Sequence, residues 1–377
     1  MKLTSDTVRE LNLKRLLTPL IIIALSLLQT GCLFTYAIKS GKEQLNILNQ
    51  RQPIEKVLES KDVSEDHKKK LRLALEVREF VVKDLGFTAS NNYKTYVDIK
   101  RPYVTWVLIV SPKNKVENYT WKYPIVGELP YRGFFNPEDA KEEAKKFDPA
   151  KYDTFIRGVS AYSTLGWFED PILSTMLKDD ESDLVNLIIH ESAHATIFIK
   201  SQGEFNERLA TFLGNQGTEI FYHKKEGEKS KTLEHVALED HDEKLFSQFI
   251  TDEVKSLNDW YKNEIDDAIK AGQPKDQVAI NEEKRQKRIG EIKDNFLKNV
   301  KPKLKARNYE RFEKVAINNA FLSSLHTYVQ DLSDFQNLLR ILNGDMKELL
   351  RFCKDLERVP DPALKLKEFL RQQSPSN

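Results

Sequence analysis

Only two cysteines stand in these 377 residues, Cys32 and Cys353. No disulfide framework and no cysteine-rich zinc module can organise such a chain. Glycine and proline are sparse, at 14 each, which favours helices over a strand-rich sandwich. Charge of one sign is lacking too: 59 basic and 58 acidic side chains nearly cancel, so there is no electrostatic footprint for nucleic acid. Lysine runs such as Lys68 to Lys70 read as solvated helix faces. No internal repeat is evident. The length suits one large domain or two close-packed ones.

What is present begins at the N-terminus. Lys2, Arg9, Lys14 and Arg15 precede the apolar run Leu20 to Leu28, and Gln29-Thr30-Gly31-Cys32 follows. This is the pattern of a lipoprotein signal peptide over residues 1–31, with Cys32 as the lipidated first residue of the mature chain. Gln29 occupies a position that is normally aliphatic, so the site fits a relaxed lipobox. The competing reading is an uncleaved signal anchor, since Leu33, Phe34, Ala37 and Ile38 resume the apolar run. Both readings give one membrane attachment, through lipid or anchor, and an exported body. Cys353 is then unpaired, and its place between Phe352 and Leu356 suits a small buried side chain.

The most informative stretch is His190-Glu191-Ser192-Ala193-His194, an HExxH pattern. Residues four apart share a helix face, so His190 and His194 can present ring nitrogens to one zinc ion. Glu191, on the same turn but rotated away, can take a proton from a water that the metal has acidified, which makes it the candidate catalytic base. Leu184, Leu187, Ile188, Ala195, Ile197 and Phe198 recur at helical spacing around the motif, and Ser182 or Asp183 is the expected N-cap. A catalytic zinc site takes a third protein ligand. Gly203 reads as a turn and Phe205 to Ala210 as the start of a second helix, which makes Glu207 the preferred third ligand and Glu204 the runner-up.

Four blocks resemble a known family. They are Gln44 to Leu48 with Arg51 to Ile54, Tyr131 to Phe135, Gly158 to Phe168 with Asp170-Pro171, and HExxH with Phe205-Asn206-Glu207. Through these, and a weaker match at Asn318-Asn319-Ala320, residues 36–350 resemble the bacterial family of predicted aminopeptidases, zinc-peptidase-like lipoproteins of the cell envelope. The resemblance implies a gluzincin-type site in which His190, His194 and Glu207 bind the metal and Glu191 is the base. The spacing to Glu207 is shorter than in thermolysin-like enzymes. It also implies a peptide substrate and a location in the envelope, facing the periplasm or the exterior. An aminopeptidase needs an acidic partner for the substrate's amine, and Glu169 or Asp170 could serve, although Asp170-Pro171 is equally a turn signal. Candidates for steadying the oxyanion are Tyr162, Tyr222, His223 and Tyr328.

The expected fold is α+β and mainly α-helical. The HExxH helix and the helix of the Glu207 ligand lie beside a small antiparallel or mixed sheet, with a long helical hairpin toward the C-terminus. Residues 39–85 read as helical, with Ser64 as an N-cap and Gly86 as a stop. Tyr93 to Ile99 and Tyr103 to Val110 read as a hairpin or two sequential strands. With Trp121 to Val126 and the block from Val159 to Phe168 they would form the sheet, and that last block would be the edge along which a peptide lies. Pro137 after Asn136 opens a helix. Leu245 to Ile265 form an amphipathic stripe, the turn Ala271 to Pro274 breaks it, and a charged helix follows whose thin outer half is solvated. Residues 309–356 read as a further helix pair. The expected divisions are a metal-site domain over 32–235, a helical region over 236–371 and a frayed tail over 372–377. Besides a zinc peptidase acting on short peptides, two other readings remain open. One is an envelope lipoprotein that uses this fold for binding or assembly without turnover; the other is a structural helical protein whose HExxH is accidental.

Overall fold

A computed structural model describes residues 35–88, 91–123, 127–162, 164, 168–178, 180–274, 278–326 and 331–373. Residues 1–34, with Cys32 and the stretch read as a signal peptide, lie outside them, as do Leu165, Trp167, Tyr328 and the last four residues. By internal contacts the chain divides into two units, 1–50 and 51–377. In the first, residues 35–49 form a helix, α1.

The second unit is mainly helical with small sheets. It opens with β1 (Gln52–Pro53), α2 (Ile54–Glu59) and α3 (Glu65–Lys83). Ser64 caps α3 by accepting from the His67 N–H at 3.2 Å, and Gly86 stops the segment at a φ of +81°. In place of one sheet there are three. β2 (Thr95–Val97) lies between β1, antiparallel, and β8 (Ile172–Leu173), parallel. β3 (Thr105–Pro112) is the centre of an antiparallel sheet flanked by β6 (Arg132–Phe134) and β7 (Tyr152–Val159). β4 (Trp121–Tyr123) and β5 (Gly127–Leu129) pair with each other in a two-stranded sheet. The two segments read as a hairpin or two sequential strands are therefore sequential strands that belong to different sheets. Lys100 takes a left-handed φ of +58° between them, and Pro102 has no N–H to continue a ladder. Asn136 caps α4 (Pro137–Ala144) as its sequence signals, donating nothing and accepting from Glu138 N at 2.9 Å.

Downstream the chain runs through α5 (Glu181–Thr196), α6 (Gly203–Glu226), the 40-residue α7 (Lys231–Lys270) and α8 (Glu282–Asn295). The last two form the expected hairpin, turning at Gly272 with a φ of +92°. Its inner half is core: Phe246, Phe249, Ile250, Val254, Leu257 and Tyr261 pack with Ile289, Ile292 and Phe296. Ile265 is half-buried and Ile269 exposed, so the outer half is solvated as its thin apolar stripe implies. The stretch read as one helix pair is instead four helices: α9 (Glu310–Lys314), α10 (Asn319–His326), α11 (Ser333–Ile341) and α12 (Met346–Asp355), with α13 (Pro362–Gln373) after them. Left-handed backbone at Asn343 and Gly344 breaks the segment between α11 and α12. Cys353 is fully buried, and burial raises its thiol pKa.

One buried polar network binds the hairpin to the central sheet. Arg285 of α8 is wholly buried and pairs with Asp153 of β7. It also donates to the Lys113 carbonyl at 3.1 Å, the Tyr261 hydroxyl at 3.0 Å and Glu282 at 2.9 Å. Asn319 of α10 donates its backbone N–H to Asp153 and accepts from the Tyr261 hydroxyl, both at 2.9 Å. A cation this deep is tolerable because each of its three nitrogens finds an acceptor.

Candidate metal centre

The site is made where α5 and α6 cross closely. Leu184, Val185, Ile188, Ile189 and Ala193 bury one face of α5. On α6, Gly214 and Gly217 permit the approach: an added Cβ would meet Asn186 Oδ1 at 2.8 Å and Ile189 Cγ2 at 2.9 Å respectively. Asn186 also bridges the helices by donating to Asn215 Oδ1 at 2.8 Å. The N-cap of α5 is Asp180, two residues before Ser182 and three before Asp183. Ser182 is buried inside the first turn and Asp183 meets Arg307 at 3.5 Å, so neither side chain is placed to cap.

The connection between the helices is held by Asn206. Its amide donates to the Ile199 carbonyl at 2.7 Å and accepts from the Ile199 N–H at 2.9 Å. The left-handed residue of this turn is Ser201, at a φ of +61°, and Gly203 is already the first helical residue. Asn206 thus clamps the turn backbone and sets the azimuth of the adjacent Glu207.

The consequence is a three-sided cluster. His190, His194 and Glu207 each offer a ligand atom within 4.8 Å of the others. The two Nε2 atoms are 3.2 Å apart. Glu207 Oε2 lies 3.7 Å from His190 Nε2, and its Oε1 lies 3.5 Å from His194 Nε2. Donors held at bonds of about 2.0–2.1 Å and a tetrahedral angle sit about 3.3 Å from each other. The observed spacings match that within a few tenths of an ångström, so the residues present fit a small divalent cation. Glu204, the runner-up, is exposed and outside the cluster.

Electrostatics suit the arrangement. Burial pushes Glu191 up to about 7; the charge of His190 opposes this, and those of Glu207 and Asp170 add to it. Burial pushes His194 down to about 4, which keeps its ring neutral. Burial opposes the charge of Glu207, but His190, His194 and Arg157 of β7 together hold that carboxyl below its ordinary value. His190 is raised: burial works against its charged form, and the bond to Glu207 with the Glu191 and Glu207 charges prevails. The neutral His194 beside an ionised Glu207 suits a cation, whereas His190, whose charged form is favoured, would release its proton on metal binding.

Other expected participants separate. Tyr222 and His223 lie 15 and 16 residues beyond Glu207 on α6, about 22–24 Å along the helix, so they are remote from the cluster. Tyr162 is half-buried, edge-on to Phe135 at 5.9 Å. Both Asp170 oxygens are engaged by Thr164, at 3.0 Å from its N–H and 2.8 Å from its hydroxyl. Glu169 is exposed and accepts from Asn91 at 2.7 Å. The strand expected from Val159 onward lies earlier: β7 ends at Val159, and beyond it the Ser160 carbonyl accepts from Thr175 at 2.6 Å. Two neighbours of the site carried no sequence signal. Tyr93 is buried with a left-handed φ of +63°, and its phenol is raised by burial and by the charges of Glu191 and Asp170. Arg157 of β7 is the other, its positive charge acting on Glu207.

A family model described as "Putative aminopeptidase" matches residues 35–367. The chain belongs to that family. No curated protein and no solved structure matched in the other two comparisons. The family's description agrees with a peptidase-like role for this member, and the matched span includes α5, α6 and all three cluster residues.

Proposed function

We propose that this family member is a zinc-dependent peptidase, an aminopeptidase acting on short peptides at the bacterial cell envelope. The observation that carries the reading is the convergence of two imidazole nitrogens and one carboxylate at tetrahedral spacing. That donor set suits zinc, and it leaves a fourth position for water or substrate. When bound, zinc supplies a Lewis acid and makes a water nucleophilic near neutral pH.

This chain's own residues do the rest. His190, His194 and Glu207 hold the ion, and Asn206 fixes the orientation of Glu207 through the turn it clamps. Glu191, buried beside His190 and poised near 7, takes the proton of the attacking water and returns it to the leaving amine. The peptide lies extended along the outer side of β7, held by backbone hydrogen bonds. Lipid on Cys32, or a signal anchor over the same segment, would hold the body at the membrane, facing the periplasm or exterior; among the described residues no helix is long and apolar enough to cross one. The near-zero net charge supports a partner other than nucleic acid.

Metal analysis of the purified protein beside Glu191→Gln tests the reading. Expected are one zinc per chain in both and peptide cleavage only in the parent. Absence of stoichiometric zinc in the parent overturns the metal site. Zinc with no cleavage across a peptide panel overturns catalysis in favour of a binding or assembly role.

A further inference from the structure

The outer edge of β7 is open over a short window. In the antiparallel pairing of β3 and β7, Val110 stands opposite Thr154, Leu108 opposite Ile156 and Trp106 opposite Gly158. The Val110 carbonyl turns away from β7 and accepts from Tyr119 N at 2.8 Å, while the Thr154 carbonyl turns outward and accepts from Asn318 Nδ2 at 3.2 Å. Alternate residues of a strand repeat this orientation, so the backbone groups of Ile156, Gly158 and Ser160 also face outward. The Ser160 carbonyl is taken by the Thr175 hydroxyl at 2.6 Å. Among the described residues, no group pairs with the outward N–H and C=O of Ile156 or of Gly158. Between a plug at Thr154 and a plug at Ser160, two backbone positions therefore remain available.

The charge of one residue links the window to the candidate metal cluster. Arg157 sits at the centre of the window, and the positive charge of that residue acts on Glu207. One wall is aromatic: the Tyr103 ring lies against Gly158, where an added Cβ would meet it at 2.2 Å, and Tyr103 is edge-on to Trp106 at 6.2 Å. Tyr103 is 40% exposed.

Resting on the peptidase reading, we propose that Asn318 and Thr175 are length stops that restrict the bound peptide to about three paired residues. An antiparallel peptide bonds an edge through every second residue. The outward positions Ile156 and Gly158 thus engage the first and third residues of a tripeptide, a span of about 7 Å at 3.4 Å per residue. A fourth or fifth residue meets a carbonyl already satisfied by Asn318 or Thr175 and gains no hydrogen bond. The recognised unit is therefore a stretch of about three residues, set by backbone pairing rather than by a closed pocket; residues beyond it add no affinity.

Calorimetric binding of trialanine and pentaalanine to the zinc-loaded Glu191→Gln protein, alone and combined with Asn318→Ser or Thr175→Val, tests this. Serine at 318 can still accept from the Phe321 N–H and cap α10, and Thr175→Val acts at the opposite end should Asn318→Ser fail to fold. Expected for Glu191→Gln alone is affinity for the two peptides equal within about twofold. Each added substitution should favour pentaalanine over trialanine by about tenfold, the worth of one or two new hydrogen bonds. An unchanged ratio in both combinations, with trialanine still bound, overturns the stops and leaves the peptidase reading intact. Failure of either peptide to bind any zinc-loaded form overturns the peptidase reading itself, and the stops with it.

Discussion

Replacing Arg285 by Met is the sharpest test of how the scaffold is held. The guanidinium is fully buried and donates to four acceptors: Asp153, the Lys113 carbonyl, the Tyr261 hydroxyl and Glu282. Methionine matches its apolar stem but none of its donors. Asp153, only 8% exposed, keeps the Asn319 N–H and loses its counter-charge. Removing one partner of a buried pair costs about 3–5 kcal/mol, because the remaining charge is stranded. For a body of this size about 1 kcal/mol corresponds to about 2 °C, so Tm should fall by about 6–10 °C. Urea denaturation should show a lower midpoint at an unchanged slope. The double variant Arg285→Met with Asp153→Leu removes the stranded charge and should recover most of the loss. An Arg285→Met protein within about 1 kcal/mol of the parent would refute the reasoning, since it would mean that Asp153 is already well solvated or otherwise paired.

Gly158→Ala forces the Tyr103 ring away from β7 at a cost of about 1–3 kcal/mol; adding Tyr103→Ala should restore stability, and a Tm unaltered by Gly158→Ala would contradict the packing. Asp242 supplies a pH test. Burial alone would raise its pKa, but the N–H groups of Ala306, Arg307 and Lys305 with His241 hold it at about 2. Its folded value is depressed, so its contribution is complete above the ordinary 3.8 and drains away as pH falls toward 2. Asp242→Asn should therefore be less stable at pH 7 and should show a flatter stability profile between pH 4 and 2; parallel profiles would refute this. Chelation should lower the Tm of the parent, by an amount equivalent to about 4 kcal/mol when zinc had stood a thousandfold above its Kd. Glu207→Gln should show a much smaller response, and a parent indifferent to both chelator and added zinc would argue against the site.

The helices of the metal centre were legible because their information is local. HExxH at i and i+4 places two imidazoles on one face wherever the segment is helical, and the caps at Ser64 and Asn136 are short-range hydrogen bonds written in adjacent residues. The choice of Glu207 over Glu204 was half legible: both lie at the start of a helix, and only the Asn206 clamp and the left-handed Ser201 determine which one turns inward. The strands were readable as β-rich segments but not as partners. Short runs such as Thr95–Val97 carry too little pattern to specify which neighbour they pair with, and Tyr93, whose backbone is left-handed, gave no periodic signal.

Sequence alone determined the mainly helical α+β class, the amphipathic hairpin, the buried character of Cys353 and the identity of two imidazoles four residues apart. Tertiary structure alone decided that glycines 214 and 217 let α6 approach α5 closely, that three small sheets stand among the described residues where one was expected, and that β7 keeps two backbone positions open between Thr154 and Ser160. The physical reason is range. Helix and cap energies are settled within four residues, whereas a ligand from a second helix and a free strand edge depend on residues brought together by packing from far along the chain.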